Sequence, residues 1–286
     1  MILPMNGTSL IDAVGRRGAL AYEFEREGRR TILIRSSCTS PWHHFPPSYL
    51  DDSGCAYTWM VNPSGGLVGG DYVSVDARLH AQTHVVMTSP SANRVYRSAS
   101  EFAVQEVRLS VGPEARLEWL PEVTIPFAGS RFRQSIHVDL APGATVVLWD
   151  AMASGRIAMR ERWVFARVEN EICIRAVAGD SVIERFQITP ETVGKLAAEW
   201  DYVASWFVIG DGIESGRLSR LKDAIVDLLE RWPGEVFGGV SEPPAPGLAI
   251  KLVARSASGL TDVVESLSAA VRIHLWGLSP PVLRRY

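Results

Sequence analysis

Cysteine is scarce in this chain. Cys38, Cys55 and Cys173 stand far apart among 286 residues, too few and too scattered for a disulfide framework. Neither sign of charge dominates: 29 Lys and Arg face 32 Asp and Glu, a formal net charge of −3. That excludes a strongly cationic protein, the usual composition of a non-specific nucleic-acid binder. Long hydrophobic runs are missing too. The uncharged stretch 53–70 approaches the length of a membrane span, but Pro63 and glycines 54, 65, 66, 69 and 70 interrupt it, so it presents no continuous lipid-facing surface. The opening residues MILPMNGTSLIDAVGRRG lack the charge-then-apolar order of an export signal. A soluble, cytoplasmic protein in a reducing compartment is expected, and Asn6-Gly7-Thr8 carries no weight as a glycosylation acceptor.

What is present is an ordinary globular composition, 47% apolar and 21% charged. Most of the first 190 residues read as strands. Val107, Leu109 and Val111 alternate with polar neighbours, as do Ile136, Val138 and Leu140, then Ala144, Val146 and Leu148, then Ile172 and Ile174. Such runs bury one face and wet the other. Gly112-Pro113, Ala141-Pro142-Gly143 and Gly179-Asp180 punctuate them as turns. Little room remains for crossover helices, which favours antiparallel or coiled β structure over a doubly wound sheet. No internal repeat is evident. After Pro190 the period changes. Thr192 is placed to cap a helix over Val193–Trp206. Leu218, Leu221, Ile225, Leu228, Leu229 and Trp232 recur at helical steps until Pro233-Gly234. Ser241–Gly247 reads as a stiff loop, Leu248–Ala254 as a strand, and Thr261–Ala269 as a helix capped by Thr261. The reading is one mainly β domain over 1–286 with a helical cover at about 192–232.

Chemistry is sparse locally. His80 and His84 are four apart in a strand-like segment, too distant there for one metal centre. His43-His44 lies among aromatics and prolines, where packing explains it as well as a metal does. Ser64 and Ser154 do not stand in a Gly-x-Ser-x-Gly elbow. Glu118 and Glu122 do not define a carboxylate pair. The most unusual segment is Asn62-Pro63-Ser64-Gly65-Gly66-Leu67-Val68-Gly69-Gly70-Asp71. Its paired glycines allow backbone conformations or close approaches that side chains block. It matches neither the dinucleotide nor the phosphate-loop pattern.

Further motifs follow in order: Thr88-Ser89-Pro90-Ser91-Ala92-Asn93-Arg94-Val95-Tyr96-Arg97, Glu118-Trp119-Leu120-Pro121-Glu122, Ile125-Pro126-Phe127, Gly155-Arg156, Arg160-Glu161 and Trp163-Val164-Phe165. Together they closely resemble the UreD family, also called UreH, of urease accessory proteins. The likeness is strongest over 60–165. It departs at Arg160, where the family usually has glycine, and in Ser40–Pro46, where the family's Leu-Tyr-Pro-Glu signature is poorly kept.

The resemblance implies a β superhelical body with a small helical part, and a scaffold rather than an enzyme. Its implied partners are the urease apoprotein, UreF, and through UreF the nickel-carrying GTPase UreG. No tightly bound cofactor is implied, only nickel in transit. Hydrated carboxylate ligands suit such transit better than a closed thiolate cage. Asp71, Glu118 and Glu161 are the candidate nickel contacts. Gly65, Gly66, Gly69, Gly70, Tyr96, Arg97, Trp119 and Arg156 are the candidates for a structural or partner-binding role. Two alternatives stay open: a metal-dependent enzyme, and a general protein-interaction module.

Overall fold

The structure is a computed structural model that describes residues 16–177, 179–194 and 199–280. The described chain opens with an antiparallel pair, β1 (Arg17–Glu27) and β2 (Arg30–Cys38), and crosses to a second sheet with β3 (Ala56–Trp59). It then coils. β4 (Tyr72–Leu79) lies in the first sheet and β5 (His84–Thr88) in the second. After a short β6 (Asn93–Val95), β7 (Ala103–Val111) and β8 (Arg116–Leu120) repeat the step. After a short β9 (Thr124–Pro126), β10 (Arg131–Leu140) and β11 (Thr145–Ala153) repeat it again. β12 (Arg167–Arg175) adds a last parallel strand to the first sheet, and β13 (Ser181–Ile188) ends that sheet antiparallel. β14 (Tyr202–Ile209) pairs antiparallel with β11. Then come α1 (Ser215–Leu229), β15 (Val236–Ser241), β16 (Gly247–Ala254), α2 (Ala257–Val271) and a π turn over Arg272–Trp276.

The first sheet runs β13-β12-β10-β7-β4-β1-β2 and the second β15-β16-β14-β11-β8-β5-β3. Successive coils stack in parallel, so the body is solenoid-like. Register places Val73, Gln105, Gln134 and Asn170 side by side. The alternation of Val107, Leu109 and Val111 buries that face between the sheets, with Ile136, Val138, Ile172 and Ile174 beside it. A second core lies on the outer face of the second sheet. There Leu221, Ile225 and Leu228 of α1 and Val263 and Leu267 of α2 cover Tyr57, Val86, Trp149 and Trp206. Each such fully buried side chain contributes about 1.5–3 kcal/mol relative to exposure.

Coiled β structure is therefore what forms, though its neighbouring coils pair in parallel. The helix expected over Val193–Trp206 does not run its length. Strand β14 begins at Tyr202, and 195–198 lie outside the described residues. Its Trp206, Phe207, Val208 and Ile209 are all buried, a strand covered on both faces, so the apolar run carries no helical period. The cover is thus α1 and α2 rather than a block at 192–232. α2 starts four residues before Thr261: Ser256 Oγ accepts the Gly259 amide at 3.1 Å and caps it. Regular helix in α1 stops at Leu229, before Pro233-Gly234. β15 has no counterpart in the sequence pattern, because Gly238 and Gly239 inside it weaken the alternation of a strand.

Candidate functional site

The glycine segment packs at one edge of the coil. The Leu67 amide donates to the Arg94 carbonyl at 2.8 Å, and Tyr96 N–H returns to Leu67 at 2.7 Å. Gly66 faces this pairing so closely that an added Cβ would lie 2.5 Å from the Arg94 oxygen and 2.7 Å from the Tyr96 ring. Tyr96 donates to the Gly65 carbonyl at 3.2 Å. A Cβ on Gly69 would collide with Ser98 and the Glu101 carbonyl, and Gly70 holds φ +88°. Glycine is thus required here both for close approach and for a left-handed turn. Asp71 is buried in that turn. Its two carboxylate oxygens accept the backbone amides of Arg16 at 2.8 Å and Val68 at 2.9 Å.

Tyr96 packs edge-on against Phe127, with ring centroids 5.0 Å apart, and the Arg156 guanidinium lies 4.5 Å over the same ring. Arg156 forks onto Glu161, which also accepts the Ala128 amide at 3.3 Å. The Arg156 hydrogen bond holds the Glu161 carboxyl below its ordinary range. Exposed Arg97 lies over Gly129, whose φ is +70°. Backbone bonds link Ser98 to Gly129 and Gly129 to Val164. The structure therefore gathers Gly65, Gly66, Gly69, Gly70, Asp71, Tyr96, Arg97, Arg156 and Glu161 along one set of loops. Exposed Val68, Met159 and Val164 belong to the same loops.

Glu118 and Trp119 lie elsewhere, on opposite faces of β8. Trp119 joins the core between the sheets. Glu118 faces the helices, fully buried, and both its oxygens bind Arg272: Nη2 at 2.6 Å and Nε at 2.9 Å. His84 Nε2 sits 2.7 Å from Glu118 Oε1. A carboxylate only accepts, so that nitrogen carries the proton. Burial alone would raise the Glu118 pKa, but the His84 hydrogen bond and the charge and hydrogen bonds of Arg272 outweigh it and lower it. Burial pushes His84 down, so its ring is neutral near pH 7. Cys55, His84 and Glu118 offer ligand atoms within 4.8 Å of one another. The buried Arg272 cation already occupies Glu118, and burial pushes the Cys55 thiol strongly upward, so the trio reads as an ion-pair network rather than a metal site.

Between the sheets lies a polar seam that sequence reasoning missed. Gln105 Nε2 donates to Gln134 Oε1 at 3.0 Å. Gln134 then donates to Asp150 Oδ1 at 2.8 Å, and Asn170 donates to Asp150 Oδ2 at 2.7 Å. Asp150 contributes to the walls of two cavities. One opens beside Gly66, Arg94 and Glu122, the other beside Glu184, Ser205 and Lys251. Asp150 keeps partial accessibility because it faces these cavities, yet the protein around it raises its pKa by desolvation. Burial lowers Lys251 to about 8. The signal was present in sequence. Gln105, Gln134 and Asn170 each stand two residues before an inward apolar stripe and on its parity, and Asp150 shares parity with Val146 and Leu148.

The profile of a family described as UreD urease accessory protein matches residues 16–286. The chain belongs to the UreD family. It is 34% identical over 282 residues to the urease accessory protein UreD of Deinococcus radiodurans, covering 96% of this chain and 97% of that one. It is 30% identical over 277 residues to urease accessory protein UreD 2 of Streptomyces griseus, covering 94% and 93%. The UreD of Cupriavidus necator is 27% identical over 284 residues, at 97% and 96% coverage. A role in urease maturation follows from this membership. Among the described residues, no helix of this UreD member is long and apolar enough to cross a membrane.

Proposed function

We propose that this chain is a non-enzymatic scaffold that joins apo-urease to UreF, and through UreF to UreG, and that nickel passes along its interior seam toward the urease site. The observation that carries the reading is Asp150, a single carboxylate bordering two cavities and held by two side-chain amides. Nickel in transit needs ligands that bind and release. Carboxylate, amide and water oxygens do so more readily than thiolates. Burial raises the Asp150 pKa, so a proton competes with a metal ion for this carboxylate more than for an ordinary one.

Asp71, Glu118 and Glu161 take supporting roles in this reading. Their oxygens already accept backbone amides or arginine and histidine donors. Asp71 and Glu161 hold the loops that carry Tyr96, Arg97 and Arg156 toward a partner, and Glu118 holds the helical cover. The exposed Val68, Met159 and Val164 give the loop surface the apolar component of an interface.

The test is reconstitution of apo-urease with equal amounts of intact accessory complex built on wild type or Asp150→Asn. The variant should assemble normally and deliver less nickel, read as metal content and urease activity. Full nickel loading by Asp150→Asn would remove Asp150 from the route. Failure of the wild-type chain to assemble with UreF and apo-urease would defeat the scaffold reading itself.

A further inference from the structure

A third cavity, at the opposite face of the second sheet from the seam, collects positive charge. Arg26 at the end of β1, Arg116 at the start of β8 and Arg217 in the first turn of α1 all line it. Burial lowers the Arg116 pKa, and the charges of Arg217 and Arg26 act on it in the same direction. Arg116 therefore lies within electrostatic reach of both other guanidinium groups.

The acids nearby neutralise only one member of this cluster. Glu214 pairs with Arg217 at 3.3 Å, and Arg217 also donates to the Leu275 carbonyl at 2.6 Å. Arg26 Nε donates to the Gly28 carbonyl at 2.9 Å, which leaves its charge unpaired, and Glu114 accepts the Gln82 amide at 3.0 Å. Glu118 attracts Arg116, but both its oxygens are taken by Arg272 and His84. Among the described residues no carboxylate oxygen lies within 4.0 Å of the Arg26 or Arg116 nitrogens. Nor does Arg116 escape into bulk water: it is half-buried, with its guanidinium 5.4 Å over the Trp276 ring. The start of α1 borders the same space, and its cap residue Glu214 makes no side-chain cap bond. Its first amides add positive potential there. Arginines lining one pocket are suited to multiply charged oxyanions, which they hold through forked hydrogen bonds.

We propose that this cavity binds a phosphate-class oxyanion between Arg26, Arg116 and Arg217, separately from any nickel in the seam. The anion is either free phosphate or a phosphoryl group on a small ester. A single concave pocket in a chain of net charge −3 does not offer the extended basic track of a nucleic-acid binder.

Calorimetric titration of the purified full chain in low-salt buffer tests this, using inorganic phosphate and glycerol phosphate against chloride at matched ionic strength. We expect saturable one-site binding of phosphate. Arg26→Gln and Arg116→Gln should each weaken it about tenfold, as loss of one charged hydrogen-bonding fork implies, with Arg116→Lys intermediate. Tighter binding of the ester identifies a carried phosphoryl group, and tighter binding of inorganic phosphate identifies the free ion. If Arg116→Gln fails to fold, Arg26→Gln decides alone. Phosphate heats no different from chloride, or unchanged affinity in folded Arg26→Gln, overturn the proposal.

Discussion

Replacing Glu118 by glutamine should destabilise the protein severely, although the two side chains have nearly the same shape. Arg272 is 0% exposed and its guanidinium spends two bonds on Glu118. In the variant that cation keeps Tyr57 Oη at 2.8 Å and Asp51 at 3.4 Å. The amide neutralises nothing, and its NH2 opposes either Arg272 or the His84 N–H. Leaving one partner of a buried pair uncompensated costs about 3–5 kcal/mol. With ~2–4 °C of melting temperature per kcal/mol for a large domain, the transition should fall by roughly 6–20 °C. Replacing both partners, Glu118→Leu with Arg272→Met, should recover part of the loss, since a packed apolar pair carries no desolvation cost, while the buried His84 N–H loses its acceptor. The pH dependence has a fixed sign. The Glu118 pKa is lowered by folding, so its contribution is complete above the ordinary carboxylate range and is lost as pH falls toward the folded value. Wild type and Glu118→Gln should therefore converge in acid. Thermal unfolding followed by circular dichroism at several pH values measures all of this. A Glu118→Gln variant melting within about 2 °C of wild type at pH 7 would refute the ion-pair account.

Gly70→Val should cost roughly 1–3 kcal/mol, because a β-branched residue is strained at φ +88°; chemical denaturation measures it, and an unchanged midpoint argues against strain. Asp71→Asn exchanges one acceptor oxygen for a donor facing a backbone amide, so stability should fall by about 1–3 kcal/mol. If instead only nickel delivery fell, the turn-holding role would be wrong. The purified chain alone should hydrolyse neither urea nor GTP, and turnover that survives removal of contaminants would contradict the scaffold reading. With Met159 67% and Phe237 70% exposed, soluble yield at matched expression should rise when UreF is present; equal yields would count against a partner on those surfaces.

The alternating stripes at Val107, Ile136 and Ile172 were legible because one sheet face is buried and the other wet. The stacking of coils was not. Residues one coil apart are separated by 32, 29 and then 36 residues, as Thr88–Leu120, Gln105–Gln134 and Gln134–Asn170 show. An uneven period over dissimilar side chains leaves no sequence repeat, because stacking requires only inward apolar parity. β14 was misread for the opposite reason: burial on both faces erased its alternation. The glycine turn was visible as composition, and Gly66 and Gly70 justify that attention by clash and by φ. Glu118 drew notice as part of a motif, but its partner Arg272 stands far along the chain and no local pattern connects them. The anchoring role therefore required three dimensions.

That separation sets an order for synthesis. Arg272 is made 154 residues after Glu118. At ~5–20 residues per second, the carboxylate waits roughly 8–30 s for its cation on a ribosome. During that interval β5 and β8 can coil, but the outer face that α1 and α2 will cover remains open to water, with Tyr57, Val86 and Trp149 on it. The nascent chain thus carries an uncovered aromatic face until its last helix emerges. The stage most exposed to aggregation precedes release, when a partner that recognises only the finished loops offers no protection.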